Sequence, residues 1–269
     1  MDKIIVMTDI HLRAVGKTII GLDPIARFDA ALDAALSAHP DAKALILMGD
    51  LTHSGRVEEY ELIKDRVATC PIPVTLLLGN HDARPTFHKI FPEIEVTPHG
   101  HVQSILDLPH HRIITLDTHE TDADPHHSGW LCADRLAWLR AALDGTGGRM
   151  PLVFAHHPPH DIGLPGMDAI KLMNGDALLD ALRGTGAHLF CGHVHRTISG
   201  QAKGVPYTMF KSTCHQAPLD LVAVDSTLSI AEPAAYGLLL LSDGAVVAHS
   251  EDVGLGFEPV SGNDALPEH

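Results

Sequence analysis

Residues 44–50, Ala44-Leu45-Ile46-Leu47-Met48-Gly49-Asp50, are an unbroken apolar run that stops at a glycine and a carboxylate. A strand apolar at every position is covered on both faces, which is the mark of a parallel sheet in an α/β protein. The same design stands on either side. Lys3-Ile4-Ile5-Val6-Met7-Thr8 runs into Asp9-Ile10-His11, and Val74-Thr75-Leu76-Leu77-Leu78 runs into Gly79-Asn80-His81-Asp82. Between these runs, residues 24–38 carry Ile25, Phe28, Ala31, Leu32 and Leu36 at helical spacing, and residues 56–68 read as a second helix. The first ninety residues are thus a βαβαβ unit.

Further on, strands are predicted at 110–117, 151–155 and 187–191, with helices at 133–143 and 175–182. Short strands at 207–210, 221–224, 236–241 and 245–249 are expected to run antiparallel. Residues 254–269 read as a mobile or partner-stabilised tail, rich in Gly, Pro, Asp and Asn. No repeat or linker divides the chain, so residues 1–211 are taken as the core. Residues 212–269, which hold no Lys or Arg against nine acids, are taken as C-terminal strands and tail completing it, and as a possible dimerisation or cap region.

With 269 residues and 45% hydrophobic content, the chain can bury roughly 75% of its unfolded surface and needs no staples. Cys70, Cys132, Cys191 and Cys214 are far apart with no CxxC pair, which excludes a thiolate zinc cluster. The balance of 34 acids against 19 Lys and Arg gives a net charge of −15. A field of that sign repels a polyanion, so no polymeric nucleic acid is expected as partner. Aromatic residues at 4% also supply no stacking platform. The opening segment reaches Asp9 too soon for a signal peptide, and no apolar run approaches the ~18 residues of a membrane span. A cytoplasmic protein without integral membrane association is expected.

Chemistry is concentrated at five strand ends: Asp9-x-His11, Gly49-Asp50, Gly79-Asn80-His81-Asp82, His156-His157 and Gly192-His193-x-His195. Ligands of open α/β sheets bind beyond the carboxyl ends of strands. Asp9, His11, Asp50, Asn80, His156, His193 and His195 offer carboxylate, imidazole and amide oxygen, a donor set for Mn, Fe, Co or Zn. Seven donors are too many for one tetrahedral ion and suit two, with a carboxylate such as Asp50 between them. Two ions ~3.5–4 Å apart clamp the attacking and leaving oxygens of a phosphoryl displacement and supply hydroxide at neutral pH. Two divalent ions less two Asp and one hydroxide leave about one positive charge, matching a phosphodiester monoanion.

In order and spacing these motifs, with Pro158-Pro159 after the histidine pair, resemble the signature of calcineurin-like metallophosphoesterases. Within that superfamily they are most similar to bacterial class III cyclic nucleotide phosphodiesterases and glycerophosphodiesterases. The resemblance implies a four-layer α/β/β/α sandwich with mixed sheets and a C-terminal antiparallel extension. It implies Asp9, His11 and His195 on one metal, Asn80, His156 and His193 on the other, and Asp50 bridging. His81 would then bind the substrate phosphate or protonate the leaving alkoxide, and Asp82 would orient His81. The expected enzyme hydrolyses a small phosphodiester, a 3′,5′-cyclic nucleotide or a glycerophosphodiester, by attack of metal-bound hydroxide. Release of a phospholipid headgroup, monoester hydrolysis and a non-catalytic scaffold are the alternatives. A homo-oligomer, dimer or higher, is also implied.

The second motif continues Leu51-Thr52-His53-Ser54-Gly55 rather than Asp-Arg-Gly, and the third ends in Asp82 rather than Glu. Both departures speak against a phosphoprotein phosphatase. His53 and His215 are further candidates for substrate contact. His110-His111 and His126-His127 read as surface pairs.

Overall fold

In the computed structural model, residues 1–256 are described. In chain order the elements are β1 (Asp2–Met7), α1 (Pro24–Ala38), β2 (Ala44–Met48), α2 (Val57–Thr69), β3 (Val74–Leu77), α3 (Arg84–Ile90), β4 (Ser104–Asp107), β5 (His111–Leu116), α4 (Ala133–Asp144), β6 (Met150–Ala155), α5 (Pro165–Asp168), α6 (Gly175–Leu182), β7 (His188–Cys191), β8 (Ile198–Ala202), β9 (Val205–Met209), β10 (Ala235–Ser242) and β11 (Ala245–Asp252).

The side chains of β1 divide by parity, as a period of two requires. Ile5 and Met7 pack with Phe28 and Ala31 of α1 and with Tyr60 and Ile63 of α2. Ile4 and Val6 point the other way and join Ile46, Met48, Phe154, Phe190 and Leu239. That second cluster draws on both sheets. A third, around Val153, Leu189, Leu139 and Leu178, packs α4 and α6 on the far face of the second sheet. Three apolar layers between four structural layers make the α/β/β/α sandwich that the resemblance implies.

One sheet has the strand order β11-β10-β1-β2-β3 and the other β4-β5-β6-β7-β9-β8. Strands β1, β2 and β3 pair in parallel, while β10 closes antiparallel on β1. The second sheet is mixed as well, with β5, β6 and β7 parallel and β4 antiparallel to β5. Between the sheets, Phe154 is fully buried and stacks on Phe190 with ring centroids 4.8 Å apart. Phe154→Ala is expected to cost about 3–5 kcal/mol, read as a lower urea midpoint. A loss under about 1 kcal/mol would show that the inter-sheet layer is not tightly packed.

Two strand expectations are corrected. Residues 221–224 are not a strand. The Asp220 carboxylate accepts from the backbone N–H groups of Val222 and Ala223 at 2.9 Å each, closing the segment into a turn. Strand β9 is antiparallel only to β8; on its other side it is parallel to β7. Strands β4 and β8 were not expected from sequence, because both lie at sheet edges with little apolar patterning. Of the tail expected at 254–269, residues 257–269 lie outside the described residues. Among the described residues no helix is long and apolar enough to cross a membrane.

Candidate metal centre

Backbone hydrogen bonds join the loop after β1 to the loop after β2, and the loop after β6 to the loop after β7. Asp9 N–H donates to Gly49 C=O, His11 N–H to Asp50 C=O, and Gly192 N–H to His156 C=O, at 3.1, 2.9 and 3.0 Å. Five candidate ligands take left-handed backbone angles: Asp9 (φ 53), His11 (φ 46), Asp50 (φ 46), His193 (φ 70) and His195 (φ 53). Asp and His are among the side chains that best tolerate this region, yet each such residue still costs about 1–2 kcal/mol. Strain of this kind concentrates where a site fixes its side chains. Gly79 permits a close approach, since a Cβ there would collide with Asp50 and come 2.8 Å from His156 Cε1.

The donors gather in two groups. In the first, ligand atoms of Asp9, His11, Asp50 and His195 all lie within 4.8 Å of one another, and all four residues are buried. His11 Nε2 and His195 Nε2 face each other at 3.1 Å, while His195 Nδ1 donates to the His215 carbonyl at 2.9 Å. Two carboxylates and two imidazole nitrogens directed at one point are better satisfied by a cation than by a proton. In the second group, His156 Nε2 is 3.1 Å from Asn80 Oδ1, and its ring centroid is 5.2 Å from that of His193. His193 Nε2 is buried without a hydrogen-bond partner. The carbonyl of Met48 accepts from His156 Nδ1 at 3.2 Å, which turns Nε2 inward. A ligand histidine held through its other nitrogen is the usual support of a metal site.

Asp50 connects the groups. Its Oδ2 lies 3.6 Å from His11 Nε2 and 3.4 Å from His156 Nε2, and its Oδ1 accepts the His81 backbone N–H at 2.8 Å. One oxygen therefore faces both donor sets. The residues present fit a pair of ions.

Charge is arranged to match. Burial alone would raise the Asp50 carboxyl, but the facing His156, then His81, hold it well below the usual carboxylate range. Asp9 is likewise lowered, with His195 and His156 overcoming its burial. His156 is desolvated, which lowers it, yet Asp50 and Asp9 push it up to about 9. Burial brings His193 down to about 3 and holds His11 well below its ordinary value, so both are neutral donors at pH 7. In metal-free protein the His156 proton thus stands in for a cation. A raised histidine stabilises the fold fully below its ordinary pKa of 6.5, and that contribution is lost as pH rises through about 9. The urea midpoint of metal-free protein should therefore fall as pH rises through about 9, and metal loading should remove the dependence. A flat metal-free profile would contradict the ion-pair geometry.

Besides His111, read as a surface residue but buried in β5 with its Nε2 donating to the Ala245 carbonyl at 3.1 Å, two expectations are corrected. Asp82 does not contact the His81 ring; His81 Nδ1 donates to the His53 carbonyl at 2.8 Å. Asp82 instead accepts from the N–H groups of Leu51, Thr52 and Gly79 and from the hydroxyls of Thr52 and Tyr60. It ties the loop holding Asp50 to the loop holding Asn80. Burial, then Asp50, raises this carboxyl to about 6 despite its five donors. His127 is the second correction. It leaves the surface and lines the cavity, accepting from Asn80 Nδ2 at 2.8 Å, while His126 remains exposed. His157, next to a ligand, is not available as one: its Nε2 donates to the His127 carbonyl at 3.1 Å, and its Nδ1 meets Thr118 Oγ1 at 2.7 Å. His53 and His215 both line the cavity.

The calcineurin-like phosphoesterase family model matches residues 2–197, and the chain belongs to this family. It is 39% identical over 250 residues to a "Probable cyclic nucleotide phosphodiesterase" of Rhodopseudomonas palustris, covering 92% of this chain and 91% of that one. It is 30% identical to the 3′,5′-cyclic adenosine monophosphate phosphodiesterase CpdA of Pseudomonas aeruginosa, covering 88% and 85%. The glycerophosphodiester phosphodiesterase GpdQ of Enterobacter lignolyticus is 28% identical, over 79% and 77%. Among solved structures, a dimetal phosphatase from Danio rerio shares the fold with a TM-score of 0.70 at 14% identity, covering 93% and 96%.

Proposed function

We propose that this protein is a dinuclear metal-dependent phosphodiesterase acting on small diesters, with a 3′,5′-cyclic nucleotide or a glycerophosphodiester as substrate. The observation that carries the reading is the charge of the cavity. A space of about 300 Å³ opens over His11, Asp50, Asn80, His193 and His195, and no Lys or Arg is among its described lining residues. Burial lowers His53 and His127 to about 4 and His215 to about 3, so none adds charge at pH 7. Two divalent ions against Asp9 and Asp50 leave two positive charges before the nucleophile is counted and one after. That balances a diester monoanion before any proton on His81 is counted. The relatives named as cyclic nucleotide and glycerophosphodiester phosphodiesterases support the same class.

Asp9, His11 and His195 would hold one ion, Asn80, His156 and His193 the other, and Asp50 both. Mn, Fe, Zn and Co all suit this donor set. When bound, the pair supplies Lewis acidity toward phosphoryl oxygens and brings the pKa of water to about 7. The chain's own groups complete the site. With Nδ1–H fixed on the His53 carbonyl, His81 keeps Nε2 free to hold a proton for the leaving oxygen. His53 and His127 each stack on His81, with centroids 5.2 and 4.8 Å away, and restrain its ring. The cavity's remaining wall includes the apolar side chains of Ile19, Ile20, Met167, Ile170 and Leu228. Self-association through residues 212–269 is part of the same proposal; a monomer by light scattering would remove it.

Rates on bis(p-nitrophenyl) phosphate and p-nitrophenyl phosphate with Mn²⁺, before and after chelation, test the reading. Diester hydrolysis that is faster than monoester hydrolysis and stops on chelation is expected. A faster monoester rate, or a rate indifferent to chelation, would reject it.

A further inference from the structure

Asn80 presents its two ends to different partners. Its Oδ1 lies 3.1 Å from His156 Nε2, so the carbonyl end faces the metal donors. Its NH₂ end therefore faces away, and it donates to His127 Nδ1 at 2.8 Å. An amide NH₂ has only protons to offer, so His127 Nδ1 presents its lone pair and the neutral ring carries its proton on Nε2. That Nε2 has no partner among the described residues, and the ring lines the cavity.

The ring is also held in place. His127 adopts φ 71, and its carbonyl accepts from buried His157, which is itself fixed by Thr118 Oγ1. One face lies on His81 at 4.8 Å with an interplanar angle of 22°. Upstream, the loop is anchored where the Arg84 guanidinium makes a two-point contact with buried Asp117, at 2.9 Å each, and where Arg135 donates to the His119 carbonyl at 2.9 Å. Downstream, Gly129 N–H donates to the Lys171 carbonyl at 3.1 Å. A histidine secured at its carbonyl, ring face and one ring nitrogen has a single free polar atom in its side chain.

We infer that His127 is a substrate-binding residue whose Nε2–H is a fixed donor to a phosphoryl oxygen of the diester, in the place of the Lys or Arg that the cavity lacks. The inference rests on the diesterase reading above. A neutral donor adds a hydrogen bond to the phosphate without adding charge to the site.

Two measurements test it, and the first needs no variant. Two-bond ¹⁵N–¹H spectra of the metal-free protein, with the His127 signals assigned by their loss in His127→Phe, should show the Nε2–H tautomer; the Nδ1–H tautomer would overturn the inference. The second is calorimetric titration of the Mn-loaded protein with inorganic phosphate. His127→Phe keeps the stacked ring and should bind phosphate about ten- to hundredfold more weakly at an unchanged number of Mn ions per chain. His127→Asn, which can accept from Asn80 and still donate, should recover part of the loss. Unchanged phosphate affinity, or Mn loss in place of affinity loss, would overturn it. Both readouts stand without turnover, so a wild-type protein that hydrolyses no diester would sink the diesterase reading while leaving the donor assignment to be decided by these data.

Discussion

Asp50→Ala should lower diester hydrolysis about a thousandfold at saturating Mn²⁺. One carboxylate oxygen faces His11 on one side and His156 on the other, at 3.6 and 3.4 Å. Removing it takes a ligand from both ions and leaves the pair without its shared anchor. A metal-derived contribution of about 4 kcal/mol corresponds to three powers of ten in rate. The substitution also frees the His81 backbone N–H, which Asp50 Oδ1 accepts at 2.8 Å, so the loop after β3 loses a tie. Bound Mn per chain, measured on the same samples, should fall with the rate. A variant with full activity would show that the two donor groups work independently of Asp50.

His81→Ala should separate substrates by leaving group. If His81 Nε2 supplies the proton to a departing oxygen, an alkoxide leaving group needs it and a nitrophenolate, already stable as an anion, does not. The expected loss is about 10²–10⁴-fold on an alkyl or cyclic nucleotide diester, and far less on bis(p-nitrophenyl) phosphate. Metal content should be unchanged, because the His81 ring nitrogen Nδ1 is bound to a backbone carbonyl and not to the donor groups. Equal losses on both substrates would reduce His81 to a phosphate-binding group.

The candidate ligand set is legible in the sequence for a physical reason: its donors cluster just past the ends of apolar runs, and such runs are the strands of a doubly covered sheet. Position and chemistry therefore arrive together at Asp9, Asp50, Asn80, His156 and His193. What lies between strands follows no such rule. His127 sits in a segment without periodicity, and its place depends on Asn80 and His157, 47 and 30 residues away. No local signal separates it from its exposed neighbour His126. Sequence adjacency also misleads at Asp82. Adjacency to His81 suggests a pair, whereas five donors from Leu51, Thr52, Tyr60 and Gly79 claim its carboxylate. Residues 221–224 mislead in the opposite direction, since their apolar composition reads as a strand and yet Val222 and Val224 are exposed. Strand composition becomes a strand only where another strand offers its backbone.

The central claim is that two buried donor groups joined by Asp50 hold a pair of ions, and elemental analysis measures this most directly. After chelation, reconstitution with Mn²⁺ or Zn²⁺ and removal of free metal, wild-type protein should retain about two ions per chain, and the count should fall in Asp50→Ala. Wild-type protein that retains less than one ion per chain after reconstitution would contradict the metal centre and, with it, the mechanism built on these side chains.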